Sequence, residues 1–263
     1  MYSLMEVRNH AFEKRSATTT QQLAFTPPSN MHVMDALDIH RLVVVVITGV
    51  EYHDSRLKAL LETWGRWLPR ERLVVISDVF DDHLGTIEAP NTLGGYEPSQ
   101  KKWHHAVLAV ANQTRNGIPA EWVCVVDDDT FLFVPNLLRL ISTLDPADRA
   151  WYGEVCSQEC HGPCVCGGAE WVAPMHLFLE IADEFESNKS WPPACCTSFS
   201  SSDQIISSWM NDVAQVPSVT HPEFKSPSGF IFGTQTGPTN PSPSASWTRR
   251  LSQYRILSLR PHG

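Results

Sequence analysis

The chain has 263 residues, of which 42% are hydrophobic and 10% aromatic, and this is ample material for one sizeable hydrophobic core. Its formal net charge is −9, and because residues 226–263 carry four arginines and no acid, about −13 falls on the rest of the chain. Such an acidic body excludes strong nucleic-acid binding. It attracts an anionic ligand only where a metal ion and local cations reverse the field.

The two ends of the chain differ in composition from its middle. Residues 1–40 lack hydrophobic periodicity, which predicts a disordered stem or linker. Residues 226–263 are rich in Ser and Pro and predict a disordered tail. We therefore expect the folded domain at residues 41–225. No apolar run in residues 1–40 approaches the ~20 residues that a spanning helix needs, so no transmembrane helix is expected in this chain.

The first predicted strand is the apolar run from His40 to Ile47, and a loop beginning at Thr48 leads from it into an amphipathic helix. The run from Arg72 to Ser77 predicts a second strand, which ends in Asp78. A further helix is expected from about Gln100 to Asn112. The pattern is an alternation of apolar strands and amphipathic helices.

A third predicted strand, residues 121–126, stops at three adjacent carboxylates, Asp127, Asp128 and Asp129. Carboxylates so close repel one another, so a fold that collects them normally supplies a cation. Oxygen ligands select Mg²⁺ or Mn²⁺, which share their coordination with phosphate oxygens. We therefore favour a site for a metal ion and a diphosphate over an acidic loop without function.

Alternating apolar strands and helices indicate βαβ units. After the triplet, Pro135 stands at a first-turn position that helices tolerate, so another helix is expected there. We predict an α/β fold of Rossmann type: a single domain with a mostly parallel sheet and helices on both faces. Ligands bind such sheets at the carboxyl ends of the strands, where Thr48, Asp78 and the triplet are expected.

Six of the seven cysteines fall between Cys156 and Cys196, a pattern compatible with a zinc site or with disulfides. Zinc sites usually show well-separated Cys pairs. The crowding and the even count favour disulfides in an oxidising lumen, and the sequons at Asn112 and Asn188 agree with that location. Cys124, inside the third strand, is expected to be a small buried hydrophobe.

Two enzyme classes end a strand in such a triplet. Phosphatases of the haloacid-dehalogenase type carry Asp-x-Asp-x-Thr, which Asp127 to Thr130 approaches. Those enzymes need the motif near the start of the domain and a second acidic strand end later. Here two strand–helix units precede the triplet and no such later strand is found, so the phosphatase is the weaker alternative.

Several motifs over about residues 42–225 resemble those of a second enzyme class, in the same order and at similar spacings. They are His53 to Trp64 with Val75 to Asp78, Trp122 to Val134, Tyr152-Gly153, Gly167 to Ala169, Ser202 to Ile206, and His221. Together they resemble the Fringe glycosyltransferases and their β-1,3-glycosyltransferase relatives, which have the GT-A fold. The resemblance implies an Asp-x-Asp that holds Mn²⁺, or another divalent cation, and the diphosphate of a UDP-sugar.

The resemblance also implies an activity: a metal-dependent, inverting transferase that moves a hexose or N-acetylhexosamine from a UDP-sugar to a glycan or glycoprotein hydroxyl, with a β-1,3 linkage expected. It implies the Golgi or ER lumen, with membrane association, although the anchor usual in the family is not visible in this chain. Two departures favour an alternative. Glu170 replaces a glycine of the family's glycine motif, and Asp203 alone stands where relatives have two acids. The alternative is a catalytically degenerate, Fringe-like carbohydrate-binding or scaffold protein.

By the same resemblance, Asp203 is the predicted catalytic base. The predicted donor-binding residues are Thr48, Arg56, Asp78, Asp127 and Asp128. The predicted metal ligands are Asp129, Asp127 and His221. Lys101 and Lys102 are expected at the surface, with one of them in reach of a phosphate, and the pair His104-His105 is expected on a helix surface.

Overall fold

The computed structural model describes residues 38–93, 101–157, 160, 162–165, 171–188 and 201–221, which all fall in one compact unit. Most of the predicted stem, the predicted tail, the glycine motif with Glu170, and Cys166, Cys195 and Cys196 lie outside the described residues. The boundaries of the folded domain therefore stay predictions.

The described chain alternates strands and helices. The strands are β1 (Leu42–Ile47), β2 (Leu73–Ser77), β3 (Thr86–Glu88), β4 (Trp122–Asp127), β5 (Trp151–Gly153), β6 (Val155–Ser157), β7 (Cys164–Val165), β8 (Trp171–Pro174) and β9 (Ser218–Thr220). The α-helices are α1 (Lys58–Glu62), α2 (Lys102–Arg115), α3 (Val134–Ser142), α4 (Met175–Asn188) and α5 (Ser202–Asp212). Short 3-10 turns precede β1 and β2, and a π-helical turn, His53–Leu57, leads into α1.

A seven-stranded sheet runs in the order β3-β2-β1-β4-β8-β5-β9. The first four strands are parallel to one another, β8 runs antiparallel to both neighbours, and β9 is parallel to β5. The three strands predicted from the sequence are therefore neighbours. The register places Ile47 beside both Ile76 and Asp127, so these strands end at the same level.

Alternate residues of the strands face two separate hydrophobic layers, which explains why the strands are apolar throughout. In β1, Val43 and Val45 face the layer that contains α2, α4 and α5. Leu42, Val44 and Val46 face the layer that contains α1 and α3. The predicted α/β class, mostly parallel sheet and two-sided covering by helices are confirmed.

Several details differ from the sequence predictions. Helix α2 begins at Lys102 rather than at about Gln100, and Lys102 is buried, so its predicted surface position is wrong. His104 and His105 are also half-buried, and His104 packs edge-on against Phe185. The apolar residues on the inner side of α2 rotate this part of the helix inward. Pro135 lies in the first turn of α3, as predicted.

The cysteine predictions are supported where the structure describes them. Cys160 and Cys164 form a disulfide that closes the turn before β7, and both residues are buried. Cys124 is fully buried in β4, as expected for a small hydrophobe. Within the described ranges, no helix combines the length and the apolar character required to cross a bilayer.

Candidate active site

The predicted site residues meet at the carboxyl edge of the sheet. Thr48, Asp78 and Asp128 follow β1, β2 and β4, which end side by side. The backbone N–H of Thr48 donates to the carbonyl of Ile76, which extends the ladder one residue beyond β1. Polar side chains from three different segments of the sequence therefore converge, because parallel strands bring their carboxyl ends to one edge.

Asp128 is held rigidly in this group. The Thr48 hydroxyl donates to its Oδ2 at 2.7 Å, and Arg56 Nη1 donates to its Oδ1 at 3.2 Å. Burial raises the pKa of Asp128, and the two donors oppose that rise. Both carboxylate oxygens thus already have partners. We conclude that Asp128 organises the site, while its neighbours in the triplet remain more available.

Arg56, predicted to line a UDP pocket, is tied to the acidic triplet. Its Nη1 lies 3.2 Å from Asp128 and 3.5 Å from Asp129, and its guanidinium stacks over the Tyr52 ring at 4.2 Å. Burial acts to lower the pKa of Arg56, but the Asp128 and Asp129 carboxylates outweigh this and raise it. The π-helical turn that carries Arg56 directs it toward β4 instead of along its own helix.

Asp78 is fixed in the same way. It accepts from the Val50 backbone N–H at 2.8 Å and from the Ser77 hydroxyl at 3.1 Å, and Lys102 lies 3.4 Å away. Burial acts to raise its pKa, but the Val50 N–H and the Lys102 charge outweigh burial and hold the pKa below its usual range. Asp78 therefore stays ionised at the edge of the site.

Lys102, which the sequence predicted at the surface, is a buried part of the site. Its ammonium donates to the carbonyl of Thr48 at 2.7 Å and reaches Asp78, and its side chain is only 4% exposed. It therefore joins the ends of β1 and β2. The Thr48 and Asp78 oxygens that bind Lys102 are far from it in the sequence. The one sequence signal that this turn of α2 faces inward is therefore the neighbouring Trp103, which is buried.

A Ser–His–Asp arrangement lies beside this group. Ser77 Oγ is 2.8 Å from His53 Nε2, and His53 Nδ1 is 3.7 Å from Asp81. A nucleophilic serine must reach its substrate, but Ser77 is fully buried and its hydroxyl donates to Asp78. The arrangement therefore supports Asp78 and does not form a hydrolase site.

Asp127 and Asp203 form the acidic part of the site. Burial is the largest cause that raises the pKa of Asp127 to about 7, followed by the charges of Asp129, Asp128 and Asp203. Asp203, in the first turn of α5, is thus one of the charges that act on Asp127. Asp203 lies inside this turn, whereas the N-cap position belongs to Ser201. Asp203 is therefore not the N-cap, and its first-turn position also suits the helix dipole.

His221, predicted as a metal ligand from the far side of the cleft, lies several strands away from the triplet. It follows β9, and its backbone N–H donates to the carbonyl of Gly153 at 3.3 Å. Strand β9 is three positions from β4 in the sheet, which separates the strand axes by about 14 Å. His221 and the acidic triplet nevertheless lie at the same edge of the sheet. Among the described residues, no three His, Cys, Asp or Glu side chains are already grouped as metal ligands.

Comparisons with known proteins agree with the resemblance in the sequence. A family profile described as Fringe-like matches residues 37–161. The Fringe glycosyltransferase of Drosophila melanogaster is 26% identical over 142 residues, which cover 53% of this chain and 31% of that protein. The match thus spans about a third of the relative's length.

A solved structure, a glycosyltransferase involved in the glycosylation of the major capsid of PBCV-1, aligns with 68% of this chain and 81% of that one. Its TM-score is 0.41 and its sequence identity 12%. The family profile covers β1 through β6, and with them Thr48, Arg56, Asp78 and the acidic triplet. The Fringe-like profile therefore covers the part of the chain that contains these residues, and over that part the chain is similar to the Fringe glycosyltransferases.

Proposed function

We propose that the protein is a metal-dependent, inverting glycosyltransferase that uses a UDP-sugar as donor and a hydroxyl of a glycan or glycoprotein as acceptor. The observation that carries the proposal is the convergence of Thr48, Arg56 and the acidic triplet at the carboxyl edge of the sheet. In the proposal, the acidic triplet provides the cation site, and Asp203, in the first turn of α5, provides the base. The Fringe-like match of residues 37–161 supports the same reaction class.

The side chains present fit a hard divalent cation such as Mn²⁺. Asp129 is 53% exposed, so it has room for a ligand, whereas Asp128 is only 6% exposed and already bonded. Arg56 is the cation in contact with the triplet, and it leaves the pKa of Asp127 well above its usual value. Asp127 and Asp129 would hold the ion and leave the remaining positions to diphosphate oxygens and water. A bound ion would stabilise the charge that develops on the leaving UDP.

Each of the other residues has a role in the proposal. Asp203 accepts the proton of the acceptor hydroxyl as that oxygen attacks the anomeric carbon from the face opposite UDP. Arg56 orients the triplet and places a positive charge beside the proposed diphosphate site. Thr48 and Asp78 position the donor pocket through their bonds to Asp128 and Lys102. His221 is proposed to approach the ion or the diphosphate from the far side of the edge.

We further propose that the protein acts in the lumen of the secretory pathway, in the ER or Golgi. The Cys160–Cys164 disulfide supports this location, because disulfides persist in oxidising compartments and are rare in the cytosol. Expression of the protein in an oxidising compartment, compared with expression in the reducing cytosol, tests this location. A lumenal protein is expected to fold only in the first case.

The activity is tested by UDP release from a panel of UDP-sugars, with Mn²⁺ and with EDTA. We expect release with at least one donor, its loss in EDTA, and at least a hundredfold loss in Asp129→Asn. The matched control is Asp82→Asn, which neutralises an exposed carboxylate outside the site. Donor binding with no turnover under any condition would instead support a degenerate binding protein. Activity unaffected by EDTA would contradict the metal proposal.

A further inference from the structure

The disulfide-closed turn packs directly against the helix that carries the proposed base. Residues Cys160 to Cys164 form the turn, and Val165 follows as part of the core that also contains α5. The Val165 backbone N–H donates to the buried Ser207 hydroxyl at 3.1 Å. One attachment point therefore lies in the middle of α5, four residues after Asp203.

Asn211 supplies the second and third attachment points. Its side-chain amide donates to the carbonyl of Cys160 at 2.9 Å and to the carbonyl of Pro163 at 3.0 Å. The two N–H groups of one amide thus bind both sides of the disulfide turn. A Cβ on Gly162 would come within 3.0 Å of the Asn211 amide nitrogen, and Gly162 has φ +147°, so glycine permits this approach.

The hydrogen bonds of Ser207 and Asn211 add a directional restraint on the axial position of α5 that its apolar packing lacks. Ile205, Ile206, Trp209 and Met210 bury the helix in the core. Such packing holds the helix against the core through many contacts that are individually small and non-directional. Hydrogen bonds to fixed backbone atoms are directional and set the axial position. Asn211 lies eight residues from Asp203, or about 12 Å along the helix.

We propose that Asn211 is a positioning residue for the reaction: it clamps α5 to the Cys160–Cys164 turn and thereby sets the distance of Asp203 from the acidic triplet. Ser207 is the second contact of the same clamp. The inference rests on the proposed function, because it assigns Asn211 to the placement of the proposed base. Displacement of a reacting group by about 1 Å can cost about a hundredfold in rate.

Two variants test the clamp in the full-length protein. Asn211→Asp keeps the shape but presents an oxygen in place of the two-donor amide nitrogen, facing two carbonyl oxygens. Asn211→Ala removes the donors without adding repulsion, and it serves if the first variant does not fold. We expect kcat to fall by tenfold or more in either, with the KM for the donor within twofold, because the proposed donor residues lie at the ends of β1, β2 and β4 and on the π-helical turn, not on α5. Asp212→Asn, an exposed change on the same turn, is the control and should retain wild-type kcat.

Hydrogen exchange of α5 provides a measurement that needs no turnover. In Asn211→Ala, amides of α5 are expected to exchange at least tenfold faster than in Asp212→Asn, with β4 unchanged. Faster exchange in a protein that never releases UDP would defeat the proposed function and retain the clamp. Unchanged α5 exchange, or a folded Asn211→Ala variant with normal kcat, would overturn the inference.

Discussion

Replacement of Asp127 by Asn is expected to stabilise the metal-free protein, and to do so more strongly as the pH rises. Burial and the neighbouring carboxylates raise the pKa of Asp127 from 3.8 to about 7. The folded protein therefore keeps a proton that the unfolded chain loses between those two values. By linkage, stability falls as the pH rises from about 4 to about 7, and the loss remains above that range.

The size of the effect follows from the shift. A shift of about three units, at 1.36 kcal/mol each, gives an upper bound of about 4 kcal/mol at pH 8 and about 1.5 kcal/mol at pH 5. Relaxation and water near a partly buried carboxylate reduce this, so we expect roughly 2 kcal/mol at pH 8. For a folded domain of about this size, the Tm of Asp127→Asn should exceed that of the wild type by roughly 4–8 °C.

The assay is thermal unfolding followed by circular dichroism in EDTA at pH 5 and pH 8, with Asp82→Asn as the control for removal of an exposed charge. Added Mn²⁺ should raise the Tm of the wild type at pH 8 and raise that of Asp127→Asn less, because the cation relieves the same repulsion. A variant that is no more stable than wild type at pH 8, or one with equal gains at both pH values, would refute the reasoning.

Three further substitutions have defined outcomes. Asp203→Asn should fold with wild-type stability but turn over about a hundredfold more slowly, since asparagine cannot accept the proton; near-normal turnover would exclude Asp203 as the base. Lys102→Met should lower the free energy of unfolding by about 3–5 kcal/mol in urea denaturation, because Asp78 is left ionised without its cationic partner. The control Lys101→Met, at an exposed position, should change the free energy of unfolding by less than about 0.5 kcal/mol. Equal effects of the two substitutions would contradict the buried bridge. Arg56→Lys should raise the KM for the donor about tenfold, since an ammonium cannot replace a forked guanidinium between carboxylates and phosphate; an unchanged KM would remove Arg56 from the pocket.

The main part of the fold could be predicted because its cause is local. A strand buried on both faces must be apolar at every position, and the runs before Thr48, Asp78 and Asp127 have that character. Helices connect these strands so that they run parallel, and their carboxyl ends therefore meet at one edge of the sheet. The residues that follow each strand are then expected at that edge. His221 was predicted from the family resemblance, and its separation from β4 depends on the strands that lie between them, which the sequence did not show.

The partners of charged side chains are a different matter, since they depend on three-dimensional distances between remote segments. The sequence determined that Asp127 to Asp129 end a buried strand and need a compensating charge. Only the tertiary structure decided that Arg56 and Thr48 fix Asp128, that Lys102 turns inward to Asp78, and that Asn211 binds the disulfide turn. Buried hydrophobic residues recur along the chain with the period of each helix or strand, so their positions can be predicted from the sequence. A hydrogen bond between residues tens of positions apart leaves no such period, because it exists only after the core has packed.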